Sequence, residues 1–301
     1  MLEITGLTHS YGPAGRARPA LRDISLAVAG GELVSIVGPS GCGKSTLLRC
    51  VAGLIRPAAG TITLGGSPVE RVPDGLAVVF QDYSRSLLPW LTVADNVALP
   101  LRRKRGSAPA AAGEADRTAG PARAGRRARR EAARAALATV GLTSEGGRYP
   151  WQLSGGMQQR VAIARALACD PVLLLMDEPF GSVDAQTRED LEDLVLTVRG
   201  QRDITILLVT HDIDESVYVG DRVVVLTPGP GQVRADLRVS LPSPREQITT
   251  RQLPAFVQLR AEVGRLVRER ETETGAHSER GAAGPVPGTE ATAANTGTGQ
   301  G

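Results

Sequence analysis

The sequence predicts an α/β domain in which a mainly parallel sheet is covered by helices and preceded by antiparallel strands. Strand-length apolar segments alternate with helical stretches along most of the chain, which is typical of that fold class. Segments 32–37, 172–176 and 204–209 are mostly apolar throughout, as expected of strands buried between two layers. Segments 2–8 and 21–28 alternate between apolar and polar residues, which indicates strands with one solvated face. Further strands are predicted at 76–80 and 222–226, and helices at 47–54, 156–168, 186–200 and 254–270.

The composition favours a globular protein that remains in the cytosol. Apolar residues make up 42% of the 301 residues, yet no apolar run approaches the roughly 18 residues that span a bilayer. Residues 1–5 lack the features of a signal peptide. Cys42, Cys50 and Cys169 are few and have no metal-ligand spacing, so neither a disulfide framework nor a metal cluster is expected. Any role at a membrane is expected to require a partner.

Positive charge is concentrated between residues 102 and 134, although the formal net charge is only +3. In this stretch, eleven basic residues are opposed by three acidic ones. Such a patch can meet nucleic acid or anionic lipid. Because no aromatic residues are interleaved, the favoured interpretation is a solvated surface insertion. Residues 106–125, rich in Gly, Ala, Pro and Arg, are predicted to be disordered.

Residues 38–45 match the phosphate-binding pattern G-x-x-x-x-G-K-[ST], placed between a strand and a helix. Glycines allow the backbone to wrap a phosphate, and the helix directs free N–H groups towards the anion. Lys44 is predicted to reach the β- and γ-phosphates of a nucleotide, and the Ser45 hydroxyl to ligate Mg²⁺. The predicted nucleotide-binding residues of this segment are Gly38, Pro39, Ser40, Gly41, Cys42, Gly43, Lys44, Ser45 and Thr46. The motif indicates a P-loop NTPase.

The use of lysine strengthens this interpretation. Of the 35 basic residues, all but Lys44 and Lys104 are arginine. A chain that otherwise uses arginine has lysine at the position where a compact ammonium group is required. A glycine turn without a ligand is therefore disfavoured.

Two further strand ends carry candidate catalytic residues. Asp177 and Glu178 follow an apolar strand, where the first can orient Mg²⁺ and the second can activate a water molecule. His211 follows the strand at 204–209, and alone it is a weak signal. Ser154, Gly155 and Gly156 begin a predicted helix and form a second potential anion site. The simplest explanation is that this site covers a phosphate bound by another copy of the domain.

Together these motifs resemble an ATP-binding-cassette (ABC) transporter ATPase, with the family's motif order over residues 1 to about 240. The resemblance implies that Tyr11 stacks on adenine and that Gln81 contacts Mg²⁺ and the attacking water. It also implies that Glu178 is the catalytic base and His211 the switch histidine. Ser182, Val183, Asp184 and Ala185 resemble the D-loop, with Ser-Val where Ala-Leu is more usual.

The resemblance also implies the cofactors and partners. The cofactors are ATP and Mg²⁺, and two copies pair head to tail, so that Ser154 and Gly156 touch the partner's γ-phosphate. Residues 87–97 and 241–245 are similar to the nitrate/sulfonate/taurine importer branch. A transmembrane permease subunit, an extracytoplasmic solute-binding protein and a place at the cytoplasmic face of the membrane are therefore expected. Trp90 is a candidate anchor for the permease, or else part of the subdomain core.

The motifs divide the chain into an α/β nucleotide-binding core, a helical subdomain, a helical extension and a disordered tail. These are predicted at 1–93 with 155–240, at 94–154, at 241–271 and at 272–301. Two alternatives stay open: an ABC motor for another solute class or an exporter, and a soluble ABC ATPase that acts on nucleic acid. One P-loop, one signature and the absence of heptads or cysteine clusters disfavour the second alternative, so no nucleic-acid partner is expected.

Overall fold

The computed structural model describes residues 1–13, 16–82, 86–102, 121–181 and 183–269, with side chains in the helix from 121 described from residue 125 onward. The elements lie within the unit Met1–Arg268. The described strands are β1 Leu2–Tyr11, β2 Arg18–Val28, β3 Leu33–Val37, β4 Ala59–Leu64, β5 Ser67–Pro68, β6 Leu76–Val79, β7 Leu173–Asp177, β8 Thr205–Thr210, β9 Arg222–Leu226 and β10 Val233–Arg238. The described helices are α1 Lys44–Val51, α2 Val93–Ala98, α3 Pro121–Thr139, α4 Gly155–Leu167, α5 Ala185–Arg202, α6 Ile213–Val219, α7 Gln247–Arg251 and α8 Pro254–Arg268.

A six-stranded sheet forms the centre of the fold, with the strand order β10-β9-β3-β8-β7-β6. All neighbouring strands run parallel except β10, which is antiparallel to β9. The inner parallel strands β3, β8 and β7 are buried on both faces, which explains their continuous apolar sequences. In β7, for example, Leu174 and Met176 join one hydrophobic cluster, and Leu173 and Leu175 join the cluster on the opposite face. The predicted mainly parallel core is confirmed.

A second, four-stranded sheet has the order β2-β1-β4-β5 and is antiparallel throughout. Its apolar residues, including Leu2, Ile4 and Leu26, pack into the cluster that also covers one face of the central sheet. The predicted antiparallel N-terminal strands are therefore present. The short strands β4 and β5 were not among the predicted elements, because their sequence contains no long alternating pattern.

The sheet order brings the predicted motifs to one edge of the sheet. The phosphate loop follows β3, His211 follows β8, Asp177 ends β7 and Gln81 lies just after β6. These four strands are consecutive neighbours and run parallel, so their carboxyl ends meet along the same edge. Ligands of open α/β sheets bind at this edge.

Helices α2, α3 and α4 pack against one another beside the core. Helix α3 begins at Pro121, so the prediction of disorder is wrong for 121–125, and the rest of the insertion lies outside the described residues. Proline suits a first helical position, and the alanine and arginine that follow are strong helix formers. Trp90 is 70% exposed and is therefore not part of the subdomain core.

The C-terminal part differs from the predicted elements in two places. Strand β10 and helix α6 were not predicted, because half of the residues of β10 are charged and the strand is only partly buried, and because α6 is only seven residues long. Helices α7 and α8 lie in the predicted extension, whereas the predicted disordered tail 272–301 lies outside the described residues. No helix of the described residues is long and apolar enough to cross a bilayer.

Candidate functional site

Lys44 lies at the start of α1 and is almost completely buried, with 6% of its surface exposed. Its ammonium group donates hydrogen bonds to the carbonyl oxygens of Gly38 and Pro39, at 2.8 and 3.2 Å. The lysine is thus folded back over the loop that precedes it. Helix α1 begins here, three residues earlier than predicted, so the free backbone N–H groups of its first turn lie at the end of the loop.

Gly43 explains why the loop needs glycine at this position. Its φ angle is +100°, in the left-handed region that favours glycine. An added Cβ atom would lie 2.6 Å from the carbonyl oxygen of Ala20 and 2.7 Å from Cδ2 of Leu21. Gly41 also has a positive φ of +78°, but a Cβ atom added there would have no other atom within 4 Å. Of these two glycines, only Gly43 is both conformationally and sterically required.

Ser45 and Asp177 join the phosphate loop to the end of β7. The Ser45 hydroxyl donates to Oδ1 of Asp177 at 3.1 Å. Burial raises the pKa of the Asp177 carboxyl above its ordinary value, and the hydrogen bond from Ser45 opposes that shift. Two oxygen donors suited to a hard cation therefore lie side by side.

Glu178, the residue after Asp177, contacts two other polar side chains. Its Oε2 accepts a hydrogen bond from Nε2 of Gln81 at 2.8 Å, and Nδ1 of His211 lies 3.2 Å from the same oxygen. Three residues from three neighbouring strand ends are thus brought together. Glu178 has a φ of +46°, a left-handed conformation that costs a non-glycine residue about 1 kcal/mol or more. Its backbone N–H is nevertheless held, because it donates to the carbonyl of Val209 at 2.8 Å.

Tyr11 lies at the end of β1 and is 43% exposed. Its hydroxyl lies 3.2 Å from Oγ1 of Thr46, in the first turn of α1. The ring also packs edge-on against His9. The structure therefore places this aromatic ring beside the phosphate loop with part of its surface accessible.

Ser154 caps the N-terminus of α4 by accepting a hydrogen bond from the N–H of Met157 at 3.3 Å. Ser154 and Gly155 are exposed, and Gly156 is buried. A cavity of about 360 Å³ opens here, and no residue of the phosphate loop lines it. The cavity is lined by Gly141, Leu142, Glu145, Ser154, Gly156, Met157, Arg160, Thr187 and Asp190. The structure does not bring the signature segment and the phosphate loop of one chain into the same cavity.

Thr187 connects the signature segment to the start of α5. A Cβ atom added to Gly156 would lie only 2.2 Å from Cγ2 of Thr187. The hydroxyl of Thr187 donates to Oδ2 of Asp184, and its backbone N–H donates to Oδ1. These bonds lower the pKa of Asp184, which caps α5. Of the four predicted D-loop residues, Ser182 lies outside the described residues.

Sequence reasoning missed a group of residues beneath His211. Asp212 caps α6 by accepting from the N–H of Glu215 at 3.2 Å, and Nη1 of Arg188 lies 3.4 Å from its other oxygen. Glu215 is 3% exposed, and burial raises the pKa of its carboxyl well above the ordinary value. A small cavity of about 30 Å³ lies in this region, lined by Glu178, Gly181, Arg188, Thr210, His211, Asp212 and Glu215. The sequence did contain one signal for this group: Asp212 is followed three residues later by Glu215, a spacing that is typical of a helix N-terminus.

The C-terminal extension holds α6 in place, which sequence reasoning also missed. Nη2 of Arg251 lies 2.7 Å from Oε2 of Glu192 in the neighbouring α5, a carboxylate that is only 1% exposed, and the guanidinium of Arg251 lies 5.0 Å from the ring centroid of Tyr218 in α6. Arg260 pairs with Asp214 in the first turn of α6 at 2.7 Å. Arg245 donates to two carbonyl oxygens at the end of the same helix, and α8 packs against it. Since α6 follows His211 directly, the extension supports the loop that carries this histidine.

Comparison with known proteins agrees with this arrangement. The family model described as "ABC transporter" matches residues 21–181, which is more than half of the chain. The chain belongs to the ABC transporter family. Among solved structures, this ABC ATPase is similar to a dimeric post-hydrolysis ATP-binding cassette bound to ADP and Pi. The TM-score is 0.66 and the identity 32%, over 79% of this chain and 99% of the other.

Curated relatives of this ABC protein are ATP-binding proteins of importers. A taurine import ATP-binding protein of Yersinia pestis is 45% identical over 77% of this chain and 82% of its own length. An aliphatic sulfonates import ATP-binding protein of Xanthomonas axonopodis is 46% identical, over 79% and 87%. A nitrate import ATP-binding protein of Synechocystis is 39% identical, over 90% and 97%.

Proposed function

We propose that this ABC ATPase is the motor of an importer and energises the uptake of a small anionic solute through a separate membrane subunit. One observation carries the catalytic part of the proposal. The phosphate loop, the Ser45–Asp177 pair and the group of Gln81, Glu178 and His211 lie at the ends of four neighbouring parallel strands. This edge of the sheet can hold a nucleoside triphosphate beside the carboxylate of Glu178 and the imidazole of His211.

Residues 38–46 hold the phosphates of ATP in this proposal, and the Tyr11 ring stacks on its adenine. Lys44 leaves its two carbonyl acceptors to neutralise the β- and γ-phosphates. Backbone N–H groups at the start of α1 bind the remaining phosphate oxygens. Such positioning and charge neutralisation supply most of the catalysis in phosphoryl transfer.

Ser45, Asp177 and the amide oxygen of Gln81 fit a Mg²⁺ ion, because all three present hard oxygen donors. Among the described residues, no group of three or more His, Cys, Asp and Glu side chains could hold a metal. The phosphate oxygens of ATP would supply further hard ligands beside these three residues. The ion neutralises charge on the β- and γ-phosphates when it is bound.

Glu178 is the general base in this mechanism. Its carboxylate accepts the proton of the water that attacks the γ-phosphate, and the hydrogen bond from Gln81 orients the carboxylate. His211 contacts the same carboxylate oxygen and is positioned to contact the γ-phosphate when ATP is present. The left-handed backbone at Glu178 turns this side chain towards Gln81 and His211 rather than along the strand.

The signature segment completes the site of a second copy of the chain. Ser154, Gly155 and Gly156 lie at the N-terminus of a 13-residue helix and border an open cavity, which suits the γ-phosphate of ATP bound by another phosphate loop. A head-to-tail pair of chains then encloses two ATP molecules. The similarity to a dimeric cassette supports this arrangement.

The importer part of the proposal rests on the relatives. Their names assign them to the import of taurine, aliphatic sulfonates and nitrate, which are small solutes with an anionic group. By the same analogy we propose a permease subunit, an extracytoplasmic solute-binding protein and a peripheral location at the cytoplasmic face of the membrane. Trp90, with 70% of its surface exposed, is available to anchor the permease. The domain division given by the motifs, at 1–93 with 155–240, 94–154 and 241–271, is part of the proposal.

Replacement of the proposed base tests the catalytic assignment. We expect Glu178→Gln to retain ATP binding and to lower turnover by about 100- to 10,000-fold, because the amide cannot accept the proton of water. Glu3→Gln, at an exposed carboxylate of β1, is the matched control and should hydrolyse ATP at the wild-type rate. Nucleotide binding and phosphate release are measured on the same preparations. Wild-type turnover by the Glu178 variant would show that another group is the base.

A further inference from the structure

Helix α3 presents a row of arginine side chains to solvent. Arg126, Arg127, Arg130 and Arg134 are all exposed, and they follow one another at helical spacing. At 1.5 Å per residue, the row extends along about 12 Å of the helix. We call these four residues the α3 arginine row. None of the four lines either of the cavities described above, so the row faces outward rather than into a pocket.

The C-terminal half of the helix anchors it to the domain. Ala133, Ala136 and Leu137 lie along the side of α3 that adjoins the row and are fully or almost fully buried in the larger hydrophobic cluster. Helix α3 packs there against α2 and α4. The arginines thus belong to a helix whose C-terminal half is packed against the domain. A row of guanidinium groups on one helix can meet an extended ligand at low ordering cost.

Among the described residues, a carboxylate pairs with only one of the four arginines of this row. Arg127 pairs with Glu131 at 3.0 Å, but both side chains are largely exposed. No carboxylate of the described residues forms an ion pair with Arg126, Arg130 or Arg134. These three arginines are instead spaced four residues apart, where like charges destabilise a helix. The first turn of α3 also contains no acidic residue to offset the positive end of the helix. An external anionic partner would relieve both costs.

We propose that the α3 arginine row binds the anionic headgroups of a lipid bilayer. Guanidinium groups bind phosphate oxygens through paired hydrogen bonds, and basic residues near an anionic membrane each add to the attraction. A membrane is favoured over nucleic acid because no aromatic residue lies between 121 and 140 to stack on bases. In the proposed function, on which this one argument rests, the chain also works with a membrane subunit. The proposal is independent of the catalytic assignments and of the solute.

Vesicle flotation of the full-length chain tests the proposal. Vesicles of phosphatidylcholine alone are compared with vesicles that also contain about 30% phosphatidylglycerol, an anionic lipid. The test variant replaces the four arginines of the row by glutamine. The control replaces four exposed arginines elsewhere, Arg22, Arg56, Arg71 and Arg238, also by glutamine. Both variants have the same formal net charge, which falls from +3 to −1.

We expect the wild-type chain and the control variant to float with anionic vesicles only, and binding by the row variant to fall at least about tenfold. Raising the salt from about 0.05 to 0.5 M should release the wild-type chain, because the attraction is screened. The row variant should unfold at the same temperature as the wild type or higher, which separates lost binding from lost folding. Three outcomes would overturn the proposal: no vesicle binding by the wild type, equal loss in both variants, or row-dependent binding to DNA without binding to vesicles.

Discussion

The phosphate loop and the signature segment are both glycine-containing turns before a helix, but their surroundings differ. At the phosphate loop, Lys44 is buried and bonded to its own loop, and Ser45 is bonded to Asp177 from a neighbouring strand. At the signature segment, Ser154 and Gly155 are exposed beside a cavity of about 360 Å³. The helix end of the first turn, at Gly43 and Lys44, is enclosed by its own chain, although Ser40 and Gly41 at its tip are exposed, whereas the second turn faces outward.

This difference in exposure indicates that the two turns have different roles in binding. An enclosed loop with a buried lysine can bind a nucleotide within one chain. An exposed helix N-terminus can bind an anion that arrives from outside. The comparison therefore supports an active site that is shared between two copies, and the predictions that follow test each side of it.

Enclosure of the phosphate loop is tested by adding a methyl group to it. We expect Gly43→Ala to lower the free energy of unfolding by about 3 kcal/mol and to abolish ATP binding, because the new Cβ meets Ala20 and Leu21 and the backbone is left-handed. Gly41→Ala has a similar φ but free space around it, so it should cost only about 1 kcal/mol. Urea unfolding of the two nucleotide-free variants measures the difference. Equal stability of the two would show that the loop is not enclosed as described.

Support of the His211 loop by the C-terminal extension is tested by two arginine variants. Arg251→Gln leaves the buried carboxylate of Glu192 without its ionic partner and should cost about 2 kcal/mol. Arg260→Gln breaks an exposed pair with Asp214 and should cost at most about 0.5 kcal/mol. Thermal unfolding and the rate of ATP hydrolysis are measured for both. Wild-type stability and turnover in both variants would contradict the proposed support, whereas a larger effect of the Arg260 variant would contradict only the ranking by burial.

Replacement of Glu215 has a small expected effect on the free energy of unfolding. The sign of its pH dependence follows from the raised pKa of the Glu215 carboxyl. Burial and the neighbouring carboxylates of Glu192 and Asp212 raise its pKa, while Thr210 and Arg188 oppose the shift. The folded chain therefore takes up a proton before the unfolded chain does, and its stability rises as the pH falls from neutral towards the raised pKa. Glu215→Gln removes this penalty.

We expect Glu215→Gln to be about 1 kcal/mol more stable than the wild type at pH 8, with the difference shrinking as the pH falls. Unfolding by urea at several pH values between 5 and 8 follows the difference. A constant difference across this range would mean that Glu215 keeps an ordinary pKa.

The two regions also show what a sequence can predict. The phosphate loop, Asp177 and His211 were located correctly at strand ends because each depends on a local pattern, and strand order then brings them together. The parallel core was predicted from apolar segments that are continuous rather than alternating, and the strand pairing confirms it. The residue roles within the site stay predictions.

Contacts between distant residues could not be predicted in this way. Arg251 and Glu192 are 59 positions apart and meet only through the packing of the extension. The left-handed backbone of Glu178 has no signal in its residue type, since such conformations favour glycine or asparagine. The helical start of α3 was missed because the surrounding composition resembles that of disordered chains, although alanine and arginine favour helices once a packing surface is present.

The central claim is that each active site combines the phosphate loop of one chain with the signature segment of another. Two inactive variants test it when mixed. Lys44→Ala removes the phosphate-binding ammonium group. Ser154→Asp keeps a good helix cap but places a carboxylate where the phosphate should bind, and Ser154→Asn is its uncharged control.

Mixed pairs of the Lys44 and Ser154 variants would contain one site that is intact on both sides. We therefore predict that the mixture hydrolyses ATP well above the sum of the two variants measured separately, while Ser154→Asn alone retains more turnover than Ser154→Asp. A mixture that is no more active than its components would contradict the shared site, because two chains with self-contained sites cannot repair one another.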